Sequence, residues 1–304
     1  MSTAAILLCA LALDAVMGEP KWLWSRLPHP AVLMGNLIGS ADRRFNHGKA
    51  QRVKGTLVMV ALGALALCFG LVLSKFGFVV EIILAAILIA QKSLVEHVKA
   101  VADGLRISLH EGRKTVAMIV GRDTAQMDEP AIARSAIESA AENLSDGVIA
   151  PAFWFLLGGL PALLLYKITN TADSMIGYRT PRHEKFGWTA ARFDDLLNLI
   201  PARLTGFMIA ASYRLLRKWS EIAREARLHR SPNAGWPEAA MARALDVALS
   251  GPRSYDGTVQ DFPFVNDVGR KTIGAQDIDA ACRALWITWA FFAALVFALW
   301  VFGL

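Results

Sequence analysis

The chain has 304 residues, 55% of them hydrophobic and 19% charged, with a mean hydropathy of +0.39. That balance, with several uninterrupted apolar runs, excludes an ordinary soluble domain and describes a polytopic membrane protein. The formal net charge of +6 and pI near 9.4 do not point to nucleic acid, because Lys and Arg flank apolar spans and form no basic stripe interleaved with aromatics.

In chain order, the first element is a short apolar segment at residues 4–16. It has no basic n-region and no A-x-A-like end, and Asp14 precedes a G-E-P turn, so it is expected to be retained and not cleaved as a signal peptide. A rigid P-H-P loop carries His29, which is either structural or a ligand-binding group. Residues 55–73 and 78–90 are the next apolar spans, each near or below the ~20 residues a helix needs to cross a bilayer. Residues 91–111 mix apolar positions with Lys92, Glu96, Lys99, Asp103 and Arg106, as a helix leaving the membrane for water does.

The densest polar sequence lies between G-R-D-T at residues 121–124 and Pro151. If residues 134–146 are helical, Arg134, Glu138 and Glu142 fall at i, i+4 and i+8 on one face, with Asn143 and Asp146 beside or just beyond them. Such a carboxylate stripe suits a divalent cation and its phosphates; the plainer alternative is a solvated helix with an internal Arg134–Glu138 pair.

Residues 148–167 are apolar but contain G-G-L-P at 158–161, which is poor continuous helix. The segment is therefore expected to be broken or re-entrant, with a kinked full span as the alternative. Asn170 and Asp173 close it, and Asp194, Asp195 and Asn198 precede the span at 199–216, so both polar sets sit at a membrane boundary. Polar groups at that depth are functional by default, because burying them unpaired is costly. Lys167, Arg179, Arg182, Lys185, Arg192 and Arg203 supply cations for phosphate oxygens, or else anchor the interface.

A third polar block, R-S-P-N-A-G-W-P-E-A-A-M, begins at Arg230. Its turn either presents backbone N–H groups, the Asn233 amide and the flat Trp236 ring to a ligand, or is purely structural. The last span is 284–304. Cys9, Cys68 and Cys282 are far apart without C-x-x-C spacing, so neither a zinc site nor a disulfide framework is indicated. No P-loop, G-x-G-x-x-G, H-E-x-x-H or G-x-S-x-G motif is present. The expected fold is all-α: a single membrane-embedded domain over residues 1–304, with about five to six membrane segments, one broken or re-entrant, and amphipathic helices and loops on the cytoplasmic side.

Six ordered blocks together resemble the CobD/CbiB family of membrane-bound adenosylcobinamide-phosphate synthases. They are G-E-P and H-P near the start, G-R-D-T, I-E-S-A-A-E-N-L-S-D-G from Ile137, N-T-A-D-S-M-I-G-Y from Asn170, F-D-D-L-L-N from Phe193, and S-P-N-A-G-W-P-E-A-A-M from Ser231. Glu19, where the family often has Asp, and Arg243, where a small residue is common, are the departures. The resemblance implies an ATP-dependent ligation that joins a propionate carboxylate of adenosylcobyric acid to (R)-1-aminopropan-2-yl phosphate, with Mg²⁺ and without a covalent cofactor. It also implies a multi-pass protein of the cell inner membrane, surrounded by lipid, with a homo-oligomer or other cobalamin-pathway membrane enzymes as partners.

On that basis Glu138, Glu142, Asp146, Asp194 and Asp195 are expected to hold Mg²⁺, and Glu138, Glu142, Asp146 or Asp195 to take the amine proton. Arg122, Lys167, Arg179 and Arg192 are expected to grip phosphates, and His29, Asp123, Asn143, Asn170, Asp173, Asn233 and Trp236 to line the substrate side. Two other classes compete: a Mg-dependent intramembrane transferase, whose N-D-x-x-D-type patterns are only half matched, and a non-enzymatic sensor or transporter related to AmpE-like proteins. The second would carry ionisable groups mid-span, whereas here they cluster at span ends.

Overall fold

A computed structural model describes residues 1–255 and 258–303. The helices in chain order are α1 (Thr3–Met17), α2 (Lys21–Trp24), α3 (Pro30–Phe45), α4 (Gln51–Ser74), α5 (Phe78–Leu88), α6 (Gln91–Ile107), α7 (Leu109–Val116) and α8 (Glu129–Leu144). A π-helical turn, Ser145–Ile149, leads into α9 (Ala150–Ile176), followed by α10 (Trp188–Leu197), α11 (Leu199–Ser212), α12 (Trp219–Ala226) and α13 (Gly235–Leu245). Four short strands follow: β1 (Leu249–Ser250), β2 (Arg253–Tyr255), β3 (Thr258–Gln260) and β4 (Phe264–Val265). Helix α14 (Ala275–Val301) comes last.

Among the described residues, four helical stretches are long and apolar enough to cross a membrane: Gln51–Ser74, Phe78–Ile107, Glu129–Ile176 and Ala275–Val301. Thr3–Met17 and Leu199–Ser212 are shorter apolar helices. The all-α membrane architecture expected from composition is therefore present, and the chain divides into two compact units.

The first unit comprises Met1–Ala90, Asp146–Leu199 and Val296–Leu304. Its helices start where the sequence provides caps: the Ser2 hydroxyl accepts from the Ala5 N–H, and His29 Nδ1 accepts from the Ala31 N–H with Pro30 opening α3. Helix α4 packs along α9, and the approach is close enough that a side chain at Gly70 would meet the Pro161 backbone. Ile38, Met59, Ile168, Ile176 and the buried Phe186 form an apolar core. The break expected at G-G-L-P falls at Gly158 (φ −144, ψ 20) and Gly159 (φ 63, ψ −155). Gly159 holds a conformation that is essentially closed to any residue with a Cβ, which explains why α9 is two helices joined at that point.

The second unit comprises Gln91–Ser145 and Ile200–Leu295. Helices α6 and α7 pack on each other and on α8, and α13 packs on α8 as well. Helix α8 begins at Asp128, whose carboxylate accepts from the Ala131 N–H at 2.8 Å. Strand signals in this stretch of sequence are weak, yet two antiparallel pairs form: Leu249 opposite Val265 with Ser250 opposite Phe264, and Arg253–Tyr255 opposite Thr258–Gln260. Asp246, Ser250 and Asn266 take left-handed backbone angles (φ 55, 64 and 54) that shape this segment.

Arg243, one of the two departures from the family pattern, explains how the segment is held. Its Nη1 lies 2.5 Å from Glu225 Oε2 and its Nη2 3.1 Å from Glu221 Oε2, while Glu225 Oε2 also accepts from the Asn266 N–H at 3.0 Å. The Asn266 amide in turn donates to the Ala242 and Val247 carbonyls. Replacing Arg243 by alanine strips this carboxylate pair of its charged donor, and a loss of about 1.5–3 kcal/mol in stability is expected. Thermal unfolding in detergent checks it; an unchanged midpoint would mean that the pairing contributes nothing.

Candidate active site

In the second unit, Glu138 sits on the buried face of α8 with 2% of its surface exposed. Its Oε2 accepts from Arg122 Nη2 at 2.8 Å. Its Oε1 accepts from the Ser250 N–H at 2.6 Å and lies 3.0 Å from Arg253 Nη2. One carboxylate thus fastens the G-R-D-T loop and the β1–β4 segment to the same point on α8. Arg134, which helical spacing sets as the ion-pair partner of Glu138, turns away and donates from Nη1 to the Lys271 carbonyl at 3.2 Å. A local i, i+4 pairing yields here to two tertiary ones.

The two arginines that Glu138 holds line a cavity of 1170 Å³, together with Asp123, Thr124, Arg134 and Ser135 among others. Arg122 Nη1 donates to Ser135 Oγ at 3.3 Å and Arg253 Nη2 to Ser250 Oγ at 3.1 Å, so both guanidinium groups are fixed by two contacts. Further along α8, Glu142 and Asn143 are exposed, and the Asn143 amide donates back to the Ser139 carbonyl at 2.8 Å.

The turn before α13 adds a second buried acid, which the sequence marks only as a favourable charge at a helix start. Glu238 is 2% exposed, its Oε1 lies 3.6 Å from His229 Nε2, and its Oε2 has no hydrogen-bond partner among the described residues. Burial, reinforced by the charges of Glu138 and Glu142, pushes the Glu238 carboxyl well above the usual carboxylate range. Burial and the nearby Arg253 hold His229 below its ordinary value, and its Nδ1 accepts from the Ser231 N–H at 3.0 Å. Asn233 Oδ1 accepts from Arg203 Nη1 at 3.4 Å. Trp236 is buried against Arg203 and Trp219, so its ring is a packing surface and not an open platform.

The first unit gathers a different polar network where α9 meets α10. Asp194 is 8% exposed; its Oδ1 accepts from the Asn170 amide at 3.2 Å and its Oδ2 from the Asn198 amide at 3.0 Å. Asn198 Oδ1 accepts from the buried Tyr166 hydroxyl at 3.0 Å, which also points at the Asp146 carbonyl at 3.0 Å. Burial outweighs the two amide bonds and, with Asp195 adding to it, raises the Asp194 carboxyl to about 6. Asp195 is raised too, by burial, against the pull of Arg192 at 3.1 Å and of Arg179. Lys167 on α9 lies among Asp146, Glu19 and His29. His29, ring edge against Trp24, is held below its usual value by burial and by Lys167, with Glu19 opposing. The Asp173 carbonyl accepts from the Gly177 N–H and ends α9.

The sequence candidates thus fall into two sets. Arg122, Asp123, Glu138, Glu142, Asn143, Asn233 and Trp236 belong to one unit; His29, Asp146, Lys167, Asn170, Asp173, Arg179, Arg192, Asp194 and Asp195 belong to the other. No three His, Cys, Asp or Glu side chains among the described residues gather as a ready-made cation site. Magnesium nevertheless fits this donor chemistry, because it is commonly held by one or two carboxylates together with substrate phosphates. Sequence reasoning misses Arg253, Ser250 and His229, and gives Glu238 and Tyr166 no part in the chemistry; of these, only Glu238 lies within one of the six family blocks.

A protein-family profile described as "CobD/Cbib protein" matches residues 7–285. The cobalamin biosynthesis protein CobD of Sinorhizobium fredii is 49% identical over 294 residues, covering 91% of this chain and 90% of that protein. CobD of Rhizobium meliloti is 49% identical over 315 residues (95% and 96%), and CobD of Brucella suis biovar 1 is 46% identical over 318 residues (98% and 97%). No solved structure matches. A profile match over most of the chain, joined to relatives near half identity along nearly their whole length, means that the chain belongs to the CobD/CbiB family.

Proposed function

We propose that this protein acts in cobalamin biosynthesis as an ATP-dependent amide ligase, joining adenosylcobyric acid to (R)-1-aminopropan-2-yl phosphate to give adenosylcobinamide phosphate. The observation that carries the proposal is the cavity walled by Arg122, Arg134 and Arg253, a setting made for phosphate oxygens in a chain of this family. A carboxylate does not condense with an amine unaided. Transfer of the γ-phosphoryl group of ATP to the propionate oxygen gives an acyl phosphate and ADP; the amine nitrogen then attacks the acyl carbon, phosphate leaves, and the nitrogen loses a proton. The protein's part is to position anionic reactants and stabilise their charge.

Arg122 and Arg253, held by Glu138, bind phosphate oxygens, and Asp123 on the same wall is the carboxylate for Mg²⁺ accompanying the phosphates. When bound, that ion neutralises phosphate charge. A carboxyl that titrates at about 6 suits acceptance of the amine proton, and Asp194 of the first unit has that property. A location in the cell inner membrane, with the polar loops on the cytoplasmic side where ATP is supplied, belongs to the same proposal; the four helical stretches long and apolar enough to cross a membrane support its membrane part.

The test supplies the detergent-purified protein with adenosylcobyric acid, aminopropanol phosphate, ATP and Mg²⁺, and follows the corrinoid by mass spectrometry. A mass gain matching amide formation that requires both ATP and amine is expected. No gain from a protein shown to be folded would overturn the ligase proposal.

A further inference from the structure

A guanidinium is the side chain best matched to phosphate oxygens, because its planar fork of N–H donors stays charged at every relevant pH. Three such groups enter one cavity from three separate stretches of chain: Arg122 from the G-R-D-T loop, Arg134 from α8, and Arg253 from the strand segment. Two of them are oriented in advance, because the buried Glu138 gives one oxygen to Arg122 at 2.8 Å and the other to Arg253 at 3.0 Å. Their side chains are only 13% and 8% exposed, so the charges are held in a setting of low dielectric where they act strongly on a ligand. Hydroxyls from Thr124, Ser135 and Ser250 line the same wall.

Size and spread decide what the cavity takes. Its 1170 Å³ exceeds the range of about 300–1,000 Å³ usual for small-molecule sites. An aminoalkyl monophosphate offers one phosphate and would leave most of that volume empty. A chain of phosphates reaches several arginines at once, and its Mg²⁺ finds a carboxylate in Asp123.

We propose that this cavity is the nucleotide site, taking the phosphate chain of a nucleoside triphosphate on Arg122, Arg134 and Arg253, and that it is not the site of the aminoalkyl phosphate. The inference rests on the ligase proposal for the need of a nucleotide, and on the cavity for its position. It makes Glu138 a positioning residue that sets the arginines and does not itself touch the phosphates.

The experiment uses the full chain in detergent with neither corrinoid nor amine present. Calorimetric titration with ATP and Mg²⁺ is expected to show saturable binding that tripolyphosphate competes away. Arg122→Ala and Arg253→Ala should weaken it at least tenfold, while Lys114→Ala, on the exposed side of α7, should leave it unchanged. Because removing either arginine also disturbs the Glu138 ion pairs, the wild-type protein supplies a second arm. Phenylglyoxal modification, mapped by mass spectrometry, should be slowed at least fivefold at Arg122 and Arg253 by ATP or tripolyphosphate, and not by aminopropanol phosphate.

Protection by aminopropanol phosphate with none from ATP would overturn the inference, as would ATP protection confined to arginines outside the cavity, or no protection by either. The product assay on the same preparation separates the two proposals. Turnover without ATP protection here sinks the site and keeps the ligase; ATP protection here without product sinks the ligase and keeps the site.

Discussion

Replacing Glu138 by alanine should abolish ligation and cost about 3–5 kcal/mol of stability, because the change removes the carboxylate that two buried guanidinium groups share. Glu138 is 2% exposed, and the side chains of Arg122 and Arg253 facing it are 13% and 8% exposed. The Ser250 N–H would also lose its acceptor, which adds the desolvation cost of an orphaned donor. Glu138→Gln separates support from charge: it keeps one carbonyl oxygen for the Ser250 N–H and replaces the other by an amide whose protons oppose an arginine. Such a variant should fold and show a KM for ATP raised at least tenfold. Raising Mg²⁺ distinguishes two roles for this residue. If Glu138 holds the arginines, excess Mg²⁺ leaves the Gln variant impaired; substantial rescue by Mg²⁺ would return Glu138 to the role of metal ligand. Wild-type turnover in the alanine variant would remove it from the site altogether.

What the sequence can disclose about this cluster follows from the range of each signal. The helical stripe through Glu138 and the break at Gly158–Gly159 are local, set by neighbours a few residues away, and each is legible as such. The Arg134–Glu138 pair is equally local and does not form, because Glu138 is taken by Arg122, 16 residues before it, and by the Ser250 N–H, 112 residues after it. Nothing in helical periodicity encodes a partner at that separation. Arg253 arrives on two-residue and three-residue strands bracketed by left-handed Ser250 and Asn266, too short to show an alternating pattern. Arg243 looks like an aberration in the sequence because its partners, Glu221 and Glu225, lie on a different helix. Trp236 looks like a platform because exposure of an aromatic face is a tertiary property. The polar blocks thus mark which stretches matter, whereas the pairing inside the site is set by contacts that no local pattern contains.

Asp194→Asn should make the protein more stable at pH 8, by about 2–3 kcal/mol, while lowering kcat at least a hundredfold. In the unfolded chain this carboxyl titrates near 3.8, and in the folded protein burial raises it to about 6. Between those values the native state holds a proton that the unfolded state has lost, so the contribution to stability is full below about pH 4 and is lost as pH rises through 6. A tenfold change in proton affinity is equivalent to about 1.4 kcal/mol, so keeping this carboxylate ionised in the folded protein at pH 7 and above costs roughly 3 kcal/mol. Asparagine carries no charge and removes that cost. Its amide has a place to go, since Asn170 can turn its side chain to accept, whereas Asn198 is fixed by the Tyr166 hydroxyl. The measurement is the unfolding midpoint of wild type and variant in detergent from pH 5 to pH 8. The wild type should lose stability across that interval and the variant should show a flatter profile. A carboxyl kept costly to ionise is poorly explained as scaffolding, because an asparagine would satisfy the same amides more cheaply. Its presence makes sense if the ionised form has a task, taking the proton released as the amide forms. If the variant turns over normally, that task belongs to another group; if the pH profile is unchanged, burial does not hold Asp194 in the state described.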